Sequence, residues 1–198
     1  MFLHTVSSFG LHQKHTIYHP SFKSSFSVVP ACGGYLTELC LPLPNKNKVF
    51  NLIEAPNTYE EWQQDASYKS AWLLPFPNRL KNGQYKFEGI DYQFPINDTS
   101  CNNALHGFVA NQKIYLQKVV LTPSFAEVVL EYVYDGNLAY YPFPFHLQIS
   151  YLLMENQLIV ETKISNSSLH KIPIGIGFHP YFQLPSMVKD LELKLPPC

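Results

Sequence analysis

The sequence predicts an all-β domain of antiparallel strands, on three observations. Its 13 tyrosines and 14 phenylalanines accompany β-branched runs, a composition suited to pleated, half-buried surfaces. Turn signals at Gly33-Gly34, Asn82-Gly83 and Asp135-Gly136 punctuate the apolar runs. Phe145, Leu147, Ile149 and Tyr151 alternate with His146, Gln148 and Ser150, the period of a strand with one buried face.

Taken in order, residues 1 to 19 hold His4, His12, His15 and His19 among Ser and Lys and read as a polar leading segment. Phe26–Val29 and Tyr35–Leu39 around Gly33-Gly34 read as a hairpin. Pro42, Pro44 and Asn45 break the chain before a short strand at Val49–Ile53. Thr58 with Glu61 matches a capping box, which predicts a short helix from Tyr59 to about Ser67. Asn82-Gly83 predicts a two-residue hairpin just after Arg79, and a further turn falls at Gly89. The polar loop Asn97–Asn103 delivers Leu105-His106-Gly107. Lys118–Thr122, Ala126–Tyr134, Phe145–Tyr151 and Leu158–Ser165 have meander spacing, and Leu191–Leu195 alternates as one more strand. No helices intervene and no glycine-rich phosphate cradle appears, which argues against a doubly wound nucleotide-binding fold.

At 198 residues the chain fits a single domain, 1–198, able to bury on the order of 70% of the surface its unfolded form exposes. A net charge of −1 and the lack of any Lys/Arg cluster argue against nucleic acid or an anionic membrane as partner. Cys32, Cys40, Cys101 and Cys198 show neither redox nor zinc spacing, so free thiols are expected and no metal. With no apolar run of signal-peptide or membrane-spanning length, a cytoplasmic protein is expected.

Three stretches carry candidate chemistry. In Gly177-Phe-His-Pro-Tyr-Phe182, Pro180 pushes His179 into an extended conformation beside Tyr181, and Gly175 and Gly177 permit close approach upstream. Pro75-Phe-Pro-Asn-Arg79 supplies Asn78 and Arg79, and Leu105-His-Gly-Phe108 supplies His106. A guanidinium fork, an amide, two imidazoles that move protons near neutral pH, and an aromatic able to cover a C–H face suit a polyol ligand.

These three segments, in this order, resemble the aldose 1-epimerase (galactose mutarotase) family, with agreement from about Gly33 to Pro185. The resemblance implies an antiparallel β-supersandwich with the sugar in an open cleft, and a reaction that interconverts the α and β anomers of a free hexose such as glucose or galactose without cofactor or metal. It implies His179 as the acid on the ring oxygen, His106 as the second catalytic histidine, also binding near that oxygen, Asn78 and Arg79 on sugar hydroxyls, and Tyr181 as the pocket aromatic.

The family's base glutamate and a sugar-binding aspartate come from strands after the His-x-Tyr-Phe segment. The chain is therefore expected to be C-terminally incomplete, inactive alone, and prone to self-association or to completion by a C-terminal segment; Glu192 is expected to face solvent. Two alternatives stay open: a non-catalytic carbohydrate-binding β-sandwich, and a β domain in which the three stretches only pack. A hexose-6-phosphate epimerase is disfavoured, because phosphate calls for more cations than Arg79 alone.

Overall fold

The computed structural model describes residues 1–42, 48–184, 186–192 and 194. Two antiparallel sheets dominate. The first runs in chain order through β1 (Leu3–Phe9), β2 (His12–Tyr18), β3 (Ser25–Val29), β4 (Tyr35–Pro42) and β5 (Val49–Asn51). After a short helix α1 (Tyr59–Gln64) come five short strands: β6 (Trp72–Leu73), β7 (Arg79–Lys81), β8 (Gln84–Phe87), β9 (Ile90–Gln93) and β10 (Asn103–Leu105). The second sheet is the meander β11 (Tyr115–Leu121), β12 (Ala126–Tyr134), β13 (Phe145–Leu153) and β14 (Leu158–Asn166); β15 (Gly177–Phe178) then returns to pair with β6.

The sheets pack as a sandwich around one apolar cluster that joins Phe26, Val28 and Leu36 of the first to Leu130, Ile149 and Tyr151 of the second. The period-two pattern decides the facing: Phe145, Leu147, Ile149, Tyr151 and Leu153 are all fully buried. Tyr151 also ties the layers together by hydrogen bonds. Its hydroxyl donates to the Gly34 carbonyl at 2.9 Å and accepts the Trp72 indole N–H at 2.8 Å, which satisfies three polar groups in the core.

Four expectations need correction. The histidine-rich leading segment is a strand hairpin, β1 and β2, that extends the first sheet. It escapes notice because few of its side chains, chiefly Phe9, His15 and Ile17, are buried. Asn82-Gly83 is a tight turn with both residues at positive φ, yet the strands it joins do not pair with each other. Instead β7 pairs with β10 and β8 with β9, because the chain changes partner at the turn. At Thr58 the hydroxyl accepts from the Glu61 N–H as a cap should, but the Glu61 carboxylate reaches the N–H of Asn57 at 2.7 Å. The predicted strand at 191–195 is not formed by Leu191 and Glu192, which follow a 3₁₀ turn (Val188–Asp190) and are exposed; residues 193 and 195 lie outside the described set.

The predicted break at Pro44 and Asn45 also lies outside the described residues, as does Cys198. Cys32, Cys40 and Cys101 are free, and burial pushes the Cys32 thiol up to about 12, where it is inert. Among the described residues, no helix is long and apolar enough to cross a membrane.

Candidate functional site

The two short pairings β6–β15 and β7–β10 bring the three segments together. His179 follows β15, and its backbone continues that ladder: its N–H donates to Ala71 O at 3.1 Å and its carbonyl accepts the Ser70 N–H at 2.8 Å. His106 follows β10 and is locked to Asn78 in both directions. The His106 N–H donates to Asn78 O, and the Asn78 N–H donates to His106 Nδ1, both at 3.0 Å. Gly107, at φ +68°, then lets the chain press against Leu74, whose carbonyl accepts the Phe108 N–H at 2.8 Å.

The imidazoles of His106 and His179 consequently lie side by side, with ring centroids 5.4 Å apart. Tyr181 stands edge-on to His179 at 5.4 Å, and Tyr68 edge-on to His106 at 4.8 Å. Four non-glycine residues here adopt positive φ: Tyr68, Ser70, Asn78 and His106. Such backbone is held only where the surroundings over-determine it, and it concentrates at functional sites.

The hydrogen bonds assign opposite tautomers to the two rings. His106 Nδ1 accepts a backbone N–H, so its proton resides on Nε2. His179 Nδ1 lies 3.2 Å from the Tyr68 carbonyl, which only accepts, so His179 carries its proton on Nδ1 and leaves Nε2 for exchange. Burial, the His179 ring and the Arg79 guanidinium all push the His106 pKa below its ordinary 6.5. His106 is therefore a neutral donor from Nε2 at neutral pH.

Arg79 is 51% exposed, and its Nε donates to Asp98 Oδ2 at 2.6 Å; the guanidinium holds the Asp98 carboxyl below its ordinary range. Sequence reasoning missed Asp98, although it placed the polar loop that carries it. It also missed Tyr68 and Lys69, which no local pattern marks. Lys69 pairs with Glu54 at 2.6 Å and lies 5.5 Å over the Tyr181 ring. Arg79 is thus not the only cation among the described residues here, and Lys69 and Arg79 are each matched by a carboxylate. Tyr68, Lys69, Arg79 and Asp98 border a cleft of about 640 Å³ that His106, His179, Asn78 and Tyr181 adjoin without lining.

The carboxylates around the site are all engaged. Asp98 holds Arg79, Glu54 holds Lys69, and Asp65 accepts the N–H groups of Ser67 and Lys69. Glu192 is exposed and lies 3.5 Å from Lys194. Away from the site, His4 Nε2 and His15 Nδ1 meet at 3.1 Å, and no third potential metal ligand joins them among the described residues.

The sequence profile for aldose 1-epimerase matches residues 16–196. The chain belongs to the aldose 1-epimerase family. The match begins in β2, earlier than the segment from Gly33 that carries the motifs. A similar protein is the uncharacterized protein YihR of Escherichia coli (strain K12), 34% identical over 110 residues, or 55% of this chain and 34% of that one.

Among solved structures, a galactose mutarotase-like protein from Clostridium acetobutylicum superposes with a TM-score of 0.79 at 23% identity, covering 93% of this chain and 54% of that one. Galactose 1-epimerase from Lactobacillus acidophilus gives 0.71 at 19% identity, with coverage of 93% and 53%. These two share the mutarotase-like fold, and the chain spans about half their length.

Proposed function

We propose that this site interconverts the α and β anomers of a free hexose such as glucose or galactose. The observation that carries the reading is the pair of adjoining imidazoles with fixed, opposite tautomers. Protonated His179 donates from Nε2 to the ring oxygen as the C1–O5 bond breaks, while a base takes the proton of the C1 hydroxyl. The open-chain aldehyde turns about C1–C2, and the reverse proton transfers close the other anomer. His106 donates from its Nε2–H near the same oxygen without competing as a base, since its charged form is disfavoured. Asn78 and the guanidinium of Arg79 hold hydroxyls, and Tyr181 covers a C–H face.

The base is the step these residues supply least well. Each carboxylate bordering the site already accepts from a cation or from backbone N–H groups, and Glu192 lies in the exposed segment after the 3₁₀ turn. Hexose binding without turnover by these 198 residues is therefore the second reading.

Polarimetry of freshly dissolved α-D-glucose and α-D-galactose, combined with ligand-observed NMR for binding, separates the two. Binding lost in His106→Ala and His179→Ala supports the site. In a form of the protein that turns over, His179→Ala should lose roughly 10² to 10⁴ in rate. A near-normal rate in that variant would remove His179 from the acid role. Rapid turnover by residues 1–198 would require one of the engaged carboxylates, or Glu192, as the base.

A further inference from the structure

Asn97 opens the polar loop before β10, is exposed, and has no part in the chemistry assigned above. Resting on the reading that His106 serves a hexose as a neutral Nε2 donor, we propose that Asn97 is the positioning residue of that histidine. Its carboxamide braces both the end of β10 and the Tyr68 ring, and so fixes the His106 tautomer without touching the sugar.

Strand β10 ends on Leu105, the residue immediately before His106, which pairs with Arg79 of β7. Both peptide groups of Leu105 go to Asn97: the N–H donates to Oδ1 at 2.6 Å, and the carbonyl accepts from Nδ2 at 2.9 Å. An antiparallel ladder leaves the peptide groups of alternate residues facing away from the partner strand. On that outer side of β10, Asp98 and Asn103 already exchange backbone hydrogen bonds at 3.0 and 3.1 Å. Two residues further along, the Asn97 side chain stands in for a peptide unit and continues this pairing up to His106.

His106 needs such a brace because its backbone is strained. Its φ is +65°, and Asn78, bonded to it in both directions, has φ +66°. Left-handed backbone is costly for residues other than glycine and persists only where the surroundings over-determine it. The β7–β10 ladder supplies three residue pairs and no more. Fraying at Leu105 would therefore free His106 first, and with it the Asn78 N–H that keeps the proton off Nδ1.

Asn97 also reaches the ring by a second route. Its Nδ2 donates to the Tyr68 hydroxyl at 3.3 Å, and the Tyr68 ring stands edge-on to His106 at 4.8 Å. Tyr68 is thus part of the burial that holds the His106 pKa below 6.5. One carboxamide makes three hydrogen bonds and spends both of its donor protons. Asn97 borders the 640 Å³ cleft, but with no donor left to offer, it acts on a ligand through His106.

Long-range ¹H–¹⁵N NMR of the imidazoles in the 198-residue chain tests the proposal. In Asn97→Ala the Nε2–H form of His106 should give way to a mixture of tautomers and its pKa should rise toward 6.5, while His179 keeps its proton on Nδ1. Glucose affinity should fall about 5-fold, one hydrogen bond's worth. Gln93→Ala is the control. Gln93 Nε2 likewise donates to two backbone carbonyls, those of Asn82 and Phe94 at 2.6 and 3.0 Å, but away from His106, so tautomer, pKa and affinity should all stay as they are. Asn97→Asp keeps the acceptor for the Leu105 N–H and loses both donations, and its His106 tautomer carries the test should Asn97→Ala fail to fold.

A pure Nε2–H tautomer in Asn97→Ala would overturn the positioning role and leave the mutarotase reading intact. Equal disturbance of His106 in Asn97→Ala and Gln93→Ala would also overturn it, since lost stability alone would then suffice. Loss of the tautomer with glucose affinity unchanged would keep the role of Asn97 and remove His106 from the hexose site.

Discussion

Replacing Gly107 with alanine tests the claim that close backbone contact, and not loop sequence alone, holds His106 in place. A Cβ built on Gly107 would lie 1.9 Å from the Leu74 carbonyl oxygen and 2.7 Å from the Pro75 nitrogen. Backbone cannot give way as a flexible side chain can, so the Phe108 and Val109 N–H bonds to Leu74 O, at 2.8 and 3.2 Å, must loosen. Each such bond contributes about 1 kcal/mol net. Left-handed backbone costs alanine a further 1–2 kcal/mol or so. Together they predict a loss of about 3–4 kcal/mol, a shift in Tm on the order of 10 °C for a chain of this size.

Gly89→Ala is the matched control. Gly89 has φ +84° but nothing within 4 Å of its would-be Cβ, so it should lose only the conformational part, about 1–2 kcal/mol. Urea unfolding followed by the fluorescence of buried Trp72 measures both variants. Long-range ¹H–¹⁵N NMR of the imidazoles should show the Nε2–H tautomer of His106 lost in Gly107→Ala and kept in Gly89→Ala. Equal destabilisation of the two variants would refute the argument.

Tyr151→Phe orphans both the Gly34 carbonyl and the Trp72 indole N–H in the core and should cost about 2–5 kcal/mol in urea; a loss below about 1 kcal/mol would show that both find other partners. His106 and His15 both have pKa values lowered from 6.5, chiefly by burial. Above that pH each is neutral whether folded or unfolded; as pH falls below it the unfolded chain protonates first, so stability should decline with acidity. NMR titration showing His106 at or above 6.5 would contradict this. Hexose affinity should be nearly independent of salt, because the proposed ligand is neutral and Lys69 and Arg79 are paired with carboxylates; a steep fall between low and high ionic strength would favour an anionic sugar. Phe182, Met187 and Val188 are 65%, 67% and 86% exposed, and sedimentation should show self-association that Phe182→Ser with Val188→Ser weakens; a monodisperse wild-type monomer at high concentration would exclude it.

The strands of the second sheet were legible because alternation acts locally: in Phe145–Tyr151, which residue faces the core follows from a period of two, whatever the rest of the chain does. The capped helix and the turns at Gly33-Gly34 and Gly89 were legible for the same reason, since hydroxyl caps and positive φ are properties of a few consecutive residues. The leading hairpin was not. Its polar, histidine-rich strands are half solvated, and their place is set by pairing with β3, which no local pattern records.

By itself, the sequence determined the antiparallel β class and the three segments that bear Asn78, Arg79, His106, His179 and Tyr181. Only the tertiary structure decided which groups those side chains meet. It paired Arg79 with Asp98, laid Tyr68 against His106, and set Lys69 over Tyr181, contacts that span 19, 38 and 112 residues of chain. It also broke the expected Asn82-Gly83 hairpin into two separate pairings. The physical reason is common to all of these. A turn or a strand face is written in neighbouring residues, whereas an ion pair, a ring contact or a strand partner is selected only when separate segments are pressed together and desolvated in one place.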